Sequence, residues 1–236
     1  MHYMKRNIID IYEGILGDVD DVLASGDTTI AEMAVMDIIN TVYKLKAKTK
    51  LDIIPVKNDN GKYTVNATGD VAVKDRFIKT LVNDVFEWGT VDGNFSVWKC
   101  IRLTNLEGSP KSLTGNYNAN SCPKLVSLEG APKQTKDFYC VNCASLKTLE
   151  GSPERIIGDF NCSYCPALTT LEGLPDRIYG DFDCSNCKSL KSLKGLPSHV
   201  EGSLYLPKID SLFDEVGTEI ISKTHVKGRP CIVPIK

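Results

Sequence analysis

A five-residue string recurs along this chain and limits its fold more than any other feature. LEGSP at 106–110 returns as LEGAP at 128–132, LEGSP at 149–153, LEGLP at 171–175 and LKGLP at 193–197. The intervals are 22, 21, 22 and 22 residues. Self-similarity at such a period marks a solenoid, in which each turn buries its apolar face only by stacking on the next. The copies LEGSPERIIGDFNCSYCPALTT (149–170) and LEGLPDRIYGDFDCSNCKSLKS (171–192) show the unit most fully.

Inside the unit the apolar residues keep one spacing. Phe182, Cys184, Cys187, Leu190 and Leu193 carry it, as do Phe160, Cys162, Cys165, Leu168 and Leu171. Earlier copies are Phe138, Cys140, Cys143, Leu146, Leu149 and Tyr117, Ala119, Cys122, Leu125, Leu128. The first copy is Phe95, Val97, Cys100, Leu103, Leu106 and the last is Leu204, Leu206, Ile209, Leu212, which makes six turns. The i, i+2 pair predicts a short strand with both side chains on one face. The residue three positions later lies where the chain leaves the strand, and the leucines beyond it fill the wedge between turns. The return segment holds Gly and Pro close together, which excludes a regular helix and predicts an extended or turn-like convex side. Six strands about 4.8 Å apart give a parallel ladder roughly 24 Å tall.

The LEGxPxxIxGDFxCSxC unit resembles the short leucine-rich repeats of proteins from tailed phages and gut bacteria, over about residues 95–212. The resemblance implies a leucine-rich-repeat solenoid that binds or builds rather than catalyses. The first and last turns depart from the pattern: no LEGxP precedes Phe95, and no Cys stands at 206 or 209. Capping turns are expected to differ in this way.

The flanks do not repeat. Ile8, Ile11, Tyr12, Ile15, Val19, Val22 and Leu23 follow a helical stripe, ended by Ser25-Gly26-Asp27. A second helix is expected behind an Asp27 or Thr28 cap, so that 1–50 forms a helical hairpin ending in Lys44, Lys46, Lys48 and Lys50. Lysines at a helix C-terminus suit the macrodipole, and a phosphate-binding patch is the weaker reading. Asn58-Asp59-Asn60-Gly61 predicts a hairpin turn, and Val71 and Val73 look like a degenerate strand. Phe77, Ile78, Leu81, Val85, Phe86 and Trp88 are expected to plug the open end of the solenoid, with 51–94 as a β-hairpin and capping repeat. Residues 213–236 read as a C-terminal cap: a short helix over 213–221 and a strand over 231–235.

Candidate chemistry is sparse. Cys140-x-x-Cys143 and Cys162-x-x-Cys165 match a zinc-type spacing, which makes a zinc-binding repeat protein one alternative. That spacing restates the repeat, however, and Val97, Ala119, Leu206 and Ile209 occupy the same positions in sister turns. Buried, reduced, metal-free thiols are therefore expected at Cys140, Cys143, Cys162, Cys165, Cys184 and Cys187. Asp18 and Asp20 form a D-x-D, but on a helical stripe that reads as a solvated face. His2, His199 and His225 stand at no ligand spacing along the chain, and neither G-x-x-x-x-G-K-[ST] nor G-x-G-x-x-G is present. Cys231, followed by Ile and Val, reads as a buried cap residue. No catalytic residue and no cofactor are expected.

The remaining candidate is the outward, concave face of the strands. Trp98, Tyr139, Tyr164 and Tyr205 would supply aromatic anchors, and Asp137, Asp159, Asp181 and Asp183 an acidic row in register. The bland alternative is that Asn and Asp simply solvate a sheet. A net charge of −2 and a pI near 6.0 argue against nucleic acid or an acidic membrane as the ligand. No signal-type apolar segment opens the chain, so a cytoplasmic site in the host cell is expected. The sequence thus points to a non-enzymatic interaction module for a protein partner, with phage origin implied by the resemblance. An alternative is a virion or assembly component docked through its N-terminal helices.

Overall fold

In the computed structural model, residues 28–46, 48–54 and 57–234 are described; the expected helix over 7–24 and the D-x-D lie outside them. Helix α1 (Thr28–Val42) is followed by β1 (Tyr43–Leu45), β2 (Lys50–Ile54), β3 (Tyr63–Thr68), β4 (Val71–Val73), β5 (Phe86–Asp92) and β6 (Phe95–Ser96). The regular turns contribute β7 (Ser112–Leu113), β8 (Tyr117–Asn118), β9 (Gln134–Thr135), β10 (Phe138–Tyr139), β11 (Arg155–Ile156) and β12 (Phe160–Asn161). They continue with β13 (Arg177–Ile178), β14 (Phe182–Asp183), β15 (His199–Val200) and β16 (Leu204–Pro207). A 3₁₀ turn (Asp210–Phe213) and helix α2 (Glu215–Lys223) precede β17 (His225–Val226) and β18 (Pro230–Val233).

These strands form two sheets of nine. The first runs β1-β4-β6-β8-β10-β12-β14-β16-β18 and the second β2-β3-β5-β7-β9-β11-β13-β15-β17. Among the described strands only the β1–β4 and β2–β3 pairs are antiparallel; the other pairs are parallel, with equivalent residues opposite one another apart from a register shift between Val65 and Ala67 in the β3–β5 pair. The fold is a parallel β-solenoid of eight turns, two more than the leucine pattern shows. The additional turns are β3 with β4, and β17 with β18, where the LEGxP signal has decayed.

The convex side takes the extended form expected of it, and more regularly than expected: Ile156, Ile178 and Val200 lie on a second parallel sheet and point into the core. A two-residue strand placed beside Gly-Asp carries no alternation for a sequence reading to detect. Helix α1 stops at Val42 rather than running through the lysines. Tyr43 pairs with Val73, and Lys46 reaches Asp70 at 2.5 Å, so Lys44 and Lys46 lie on and beside a strand instead of at a helix end. The β-branched and aromatic run Thr41-Val42-Tyr43 favours that change.

In-register stacking turns each inward position into a column. Phe95, Tyr117, Phe138 and Phe160 stack with ring centroids 5.7, 5.2 and 5.5 Å apart, and Phe182 continues at 5.9 Å. The first three pairs are stacked and the last is tilted at 52° between ring planes; aromatic quadrupoles prefer such offset and inclined arrangements to a face-to-face sandwich. The one phenol in the column, Tyr117, has its hydroxyl satisfied by Ser109 Oγ at 2.7 Å. At the N-terminal end the column meets Trp88 at 6.0 Å and Tyr43 at 6.1 Å, under the buried face of α1 formed by Val35, Ile38, Ile39 and Val42. Phe86 and Trp88 therefore belong to an early turn of the second sheet, and Phe77, at 65% exposed, plugs nothing. At the other end Pro230 and Ile232 stand in register with the inward Leu204 and Leu206 yet are exposed, on the edge strand of the first sheet among the described residues. Prolines on such an edge blunt strand addition.

The LEG turn explains its glycine. Gly151 sits at φ +82°, and a Cβ there would come within 3 Å of the Glu129 backbone in the turn below. Gly151→Ala should lower the unfolding free energy by more than about 2 kcal/mol in urea titrations, because steric overlap adds to the left-handed penalty. The exposed Lys147→Ala should stay within about 0.5 kcal/mol.

Candidate functional site

Two side-chain ladders run along the first sheet, one inside and one outside. The inner ladder uses the second cysteine of each C-x-x-C and its equivalent Cys122, which follows Ala119. Cys122 Sγ donates to Val97 O, Cys143 to Ala119 O, Cys165 to Cys140 O and Cys187 to Cys162 O, each at 3.2 Å. Each thiol thus satisfies a carbonyl one turn earlier, at the point where the chain leaves the sheet. The six cysteines expected to be buried are buried, and all nine are free thiols. Among the described residues no group of three or more His, Cys, Asp or Glu side chains is gathered around a common point that could hold a metal. Burial pushes the Cys100 thiol up to about 12 and also raises Cys140, Cys162 and Cys184 well above the ordinary thiol value. Between Cys143 and Cys165 the thiol contact raises Cys165 and lowers Cys143.

Cys231 is the exception. It stands opposite Tyr205 on an outward column and is only half-buried, which corrects its reading as a buried cap residue.

The outer ladder is built from the Gly-Asp of the repeat. Asp137 Oδ1 accepts from Asp159 N at 3.0 Å, Asp159 Oδ1 from Asp181 N at 2.8 Å, and Asp181 Oδ1 from Ser203 N at 2.7 Å. Asp70 and Asn94 do the same in the first turns, onto Asn94 N at 2.9 Å and Asn116 N at 2.8 Å. Gly158, Gly180 and Gly202, each opposite a carboxylate of the turn before, follow from this contact: a Cβ on Gly180 would collide with Asp159 Oδ1. One oxygen of each carboxylate is thereby used inside the fold. Asp159 and Asp181 keep Oδ2 without a hydrogen-bond partner among the described residues.

The other predicted face residues divide into two groups. Tyr139, Asn161, Asp183 and Tyr205 share one outward column, since Tyr139 pairs with Asn161, Asn161 with Asp183 and Asp183 with Tyr205. Tyr139 OH donates to Asp137 Oδ2 at 3.2 Å; burial and the Asp137 charge push its phenol up to about 12, so it stays a donor. Asp183 is held by Asn161 Nδ2 at 3.2 Å and Ser185 N at 2.8 Å. Trp98 and Tyr164 lie apart, on the margin where the strands end. The Trp98 ring is already faced by its own chain, with Lys99 Nζ at 4.2 Å and the Arg76 guanidinium at 5.4 Å. Tyr164 is 45% exposed and holds φ +58°, one of a column of left-handed residues with Lys99, Ser121, Asn142 and Asn186.

Sequence reasoning missed a cluster on the second sheet. Arg155 and Arg177 lie over the Tyr179 ring at 5.9 and 5.8 Å, Arg177 meets Glu201 at 3.4 Å, and the His199 ring lies beside that of His225 at a tilt of 46°. The repeat phase carries a signal for it, because Arg155, Arg177 and His199 stand at equivalent positions.

These features define a two-sheeted parallel β-solenoid with a polar, carboxylate-laddered face. No protein-family model, curated protein or solved structure matches the chain. Among the described residues no helix is long and apolar enough to cross a membrane. A shallow hollow of about 50 Å³ between α2 and residues 191–193 is far below the size of an ordinary ligand pocket.

Two outcomes are expected. A thiol-specific reagent under native conditions should modify Cys231 quickly and the eight buried cysteines only after unfolding, as read by mass spectrometry. Tyr164→Asn should raise stability by about 0.5–1 kcal/mol in denaturant titrations, since Asn tolerates the left-handed region that an aromatic residue resists.

Proposed function

We propose that the protein is a non-catalytic scaffold that binds a basic protein segment along the outward face of its first sheet. One observation carries the reading: Asp137, Asp159 and Asp181 stand one strand apart with charge to spare after the ladder bonds are made. Carboxylates about 5 Å apart repel one another. A partner presenting Lys or Arg relieves that repulsion, so association should be fast and sensitive to salt. Tyr139 and Tyr205 flank the acidic stretch in the adjacent column and provide amphipathic contact area. The resemblance of the repeat to those of phage proteins supports a host or phage protein as the partner.

The ladder dictates how the charge is to be tested. Replacement by lysine would remove an acceptor that the next turn needs, whereas asparagine keeps Oδ1, as Asn94 already does in the same column. The variant Asp137→Asn, Asp159→Asn, Asp181→Asn should keep its unfolding free energy within about 0.5 kcal/mol of the parent per site. Its binding of an oligolysine peptide, followed by fluorescence anisotropy at low and high salt, should weaken at least tenfold. Equal binding by parent and variant would overturn the acidic-face reading.

A further inference from the structure

We propose that His199 and His225 form a two-imidazole site for a divalent transition metal of the zinc, copper and nickel class. The residues are 26 apart in sequence, but β15 and β17 pair them directly, and their ring centroids stand 5.7 Å apart. Metal–nitrogen bonds of about 2.0–2.1 Å at a tetrahedral angle put two imidazole centroids roughly 5–6 Å apart, so neighbouring turns already hold the rings at chelating distance. His199 Nδ1 lies 2.8 Å from Ser198 Oγ. With Nδ1–H donating to that hydroxyl, the Nε2 lone pair is free, the arrangement that fixes a metal-binding tautomer.

The surroundings permit a cation. His199 is half-buried and His225 exposed on the outer face of the second sheet, open to a hydrated ion. Arg177, the register partner of His199 on the other side, is turned to Glu201 at 3.4 Å and lies over the Tyr179 ring. Glu201, two residues after His199, adds a negative charge near the pair. Lys227, two residues after His225, opposes it and limits affinity. Water would complete the coordination, since among the described residues no third His, Cys, Asp or Glu is gathered there. A bound ion would tie the last strand of the second sheet, otherwise held by few backbone bonds such as His225 N to Ser198 O at 2.7 Å, to the turn before it.

The test is calorimetric titration of the full chain, chelator-stripped and kept reduced by a phosphine, with zinc alone. One ion per chain is expected, with affinity at least tenfold weaker in His199→Ala and in His225→Ala and unchanged in His2→Ala. Hydrogen exchange over 225–227 should slow on zinc addition in the parent and not in His225→Ala. The proposal fails if zinc does not bind. It also fails if the two imidazole variants, shown folded by circular dichroism, bind as the parent does, or if His2→Ala removes binding.

Discussion

Parallel, in-register stacking of one turn on the next is the constraint on which everything else here depends. Because the backbone pairs Phe138 with Phe160 and Asn161 with Asp183, each position of the repeat becomes a column running the length of the molecule. Whatever a residue does once, it does again one strand further on. Aromatic rings accumulate into a continuous stack, thiols into a ladder of carbonyl contacts, and carboxylates into a ladder of backbone caps. The same geometry makes the fold unforgiving at its corners. Gly151 and Gly180 are required because the preceding turn occupies the space a side chain would need.

A stack has two ends, and this chain treats them differently. At the N-terminal end the antiparallel β1 is the edge strand of the first sheet, Tyr43, Phe86 and Trp88 pack against one another, and Trp88 meets Phe95 of the aromatic column edge to face. At the C-terminal end α2 replaces the LEG turn, capped by Asp214 accepting from Gly217 N at 2.9 Å, and β18 closes the first sheet with proline at its start. Polar or proline-marked ends keep a solenoid from growing by strand addition.

The two outward faces follow from the same repetition. On the first sheet it aligns acidic residues, and the Oδ1 bonds convert mutual repulsion into a tolerated feature by giving each carboxylate a backbone donor. The second sheet aligns cations and imidazoles, with Tyr179 and Glu201 absorbing two of the charges. An isolated Asp or His would mean little; a column of them sets a local potential.

The solenoid, its period, the inward columns and the outward placement of Asp137, Asp159, Asp181, Asp183, Tyr139 and Tyr205 were legible in the amino-acid sequence, because burial forces apolar residues to repeat with the turn. Less was legible where a turn lacks that signature. Along the regular turns the second sheet escaped notice because its strands there are two residues long; the turn of β3 with β4 showed only as a degenerate strand at Val71 and Val73, and the last turn only as a closing strand, because Pro230 stands in the column of Leu204. Only the tertiary structure decided what the polar residues do. Hydrogen bonds from Asp Oδ1 to the next turn, the thiol contacts with carbonyls and the meeting of His199 with His225 depend on register between turns. An inserted helix shifts that register from 22 residues to 26 between the histidines, and no spacing along a single chain reveals it.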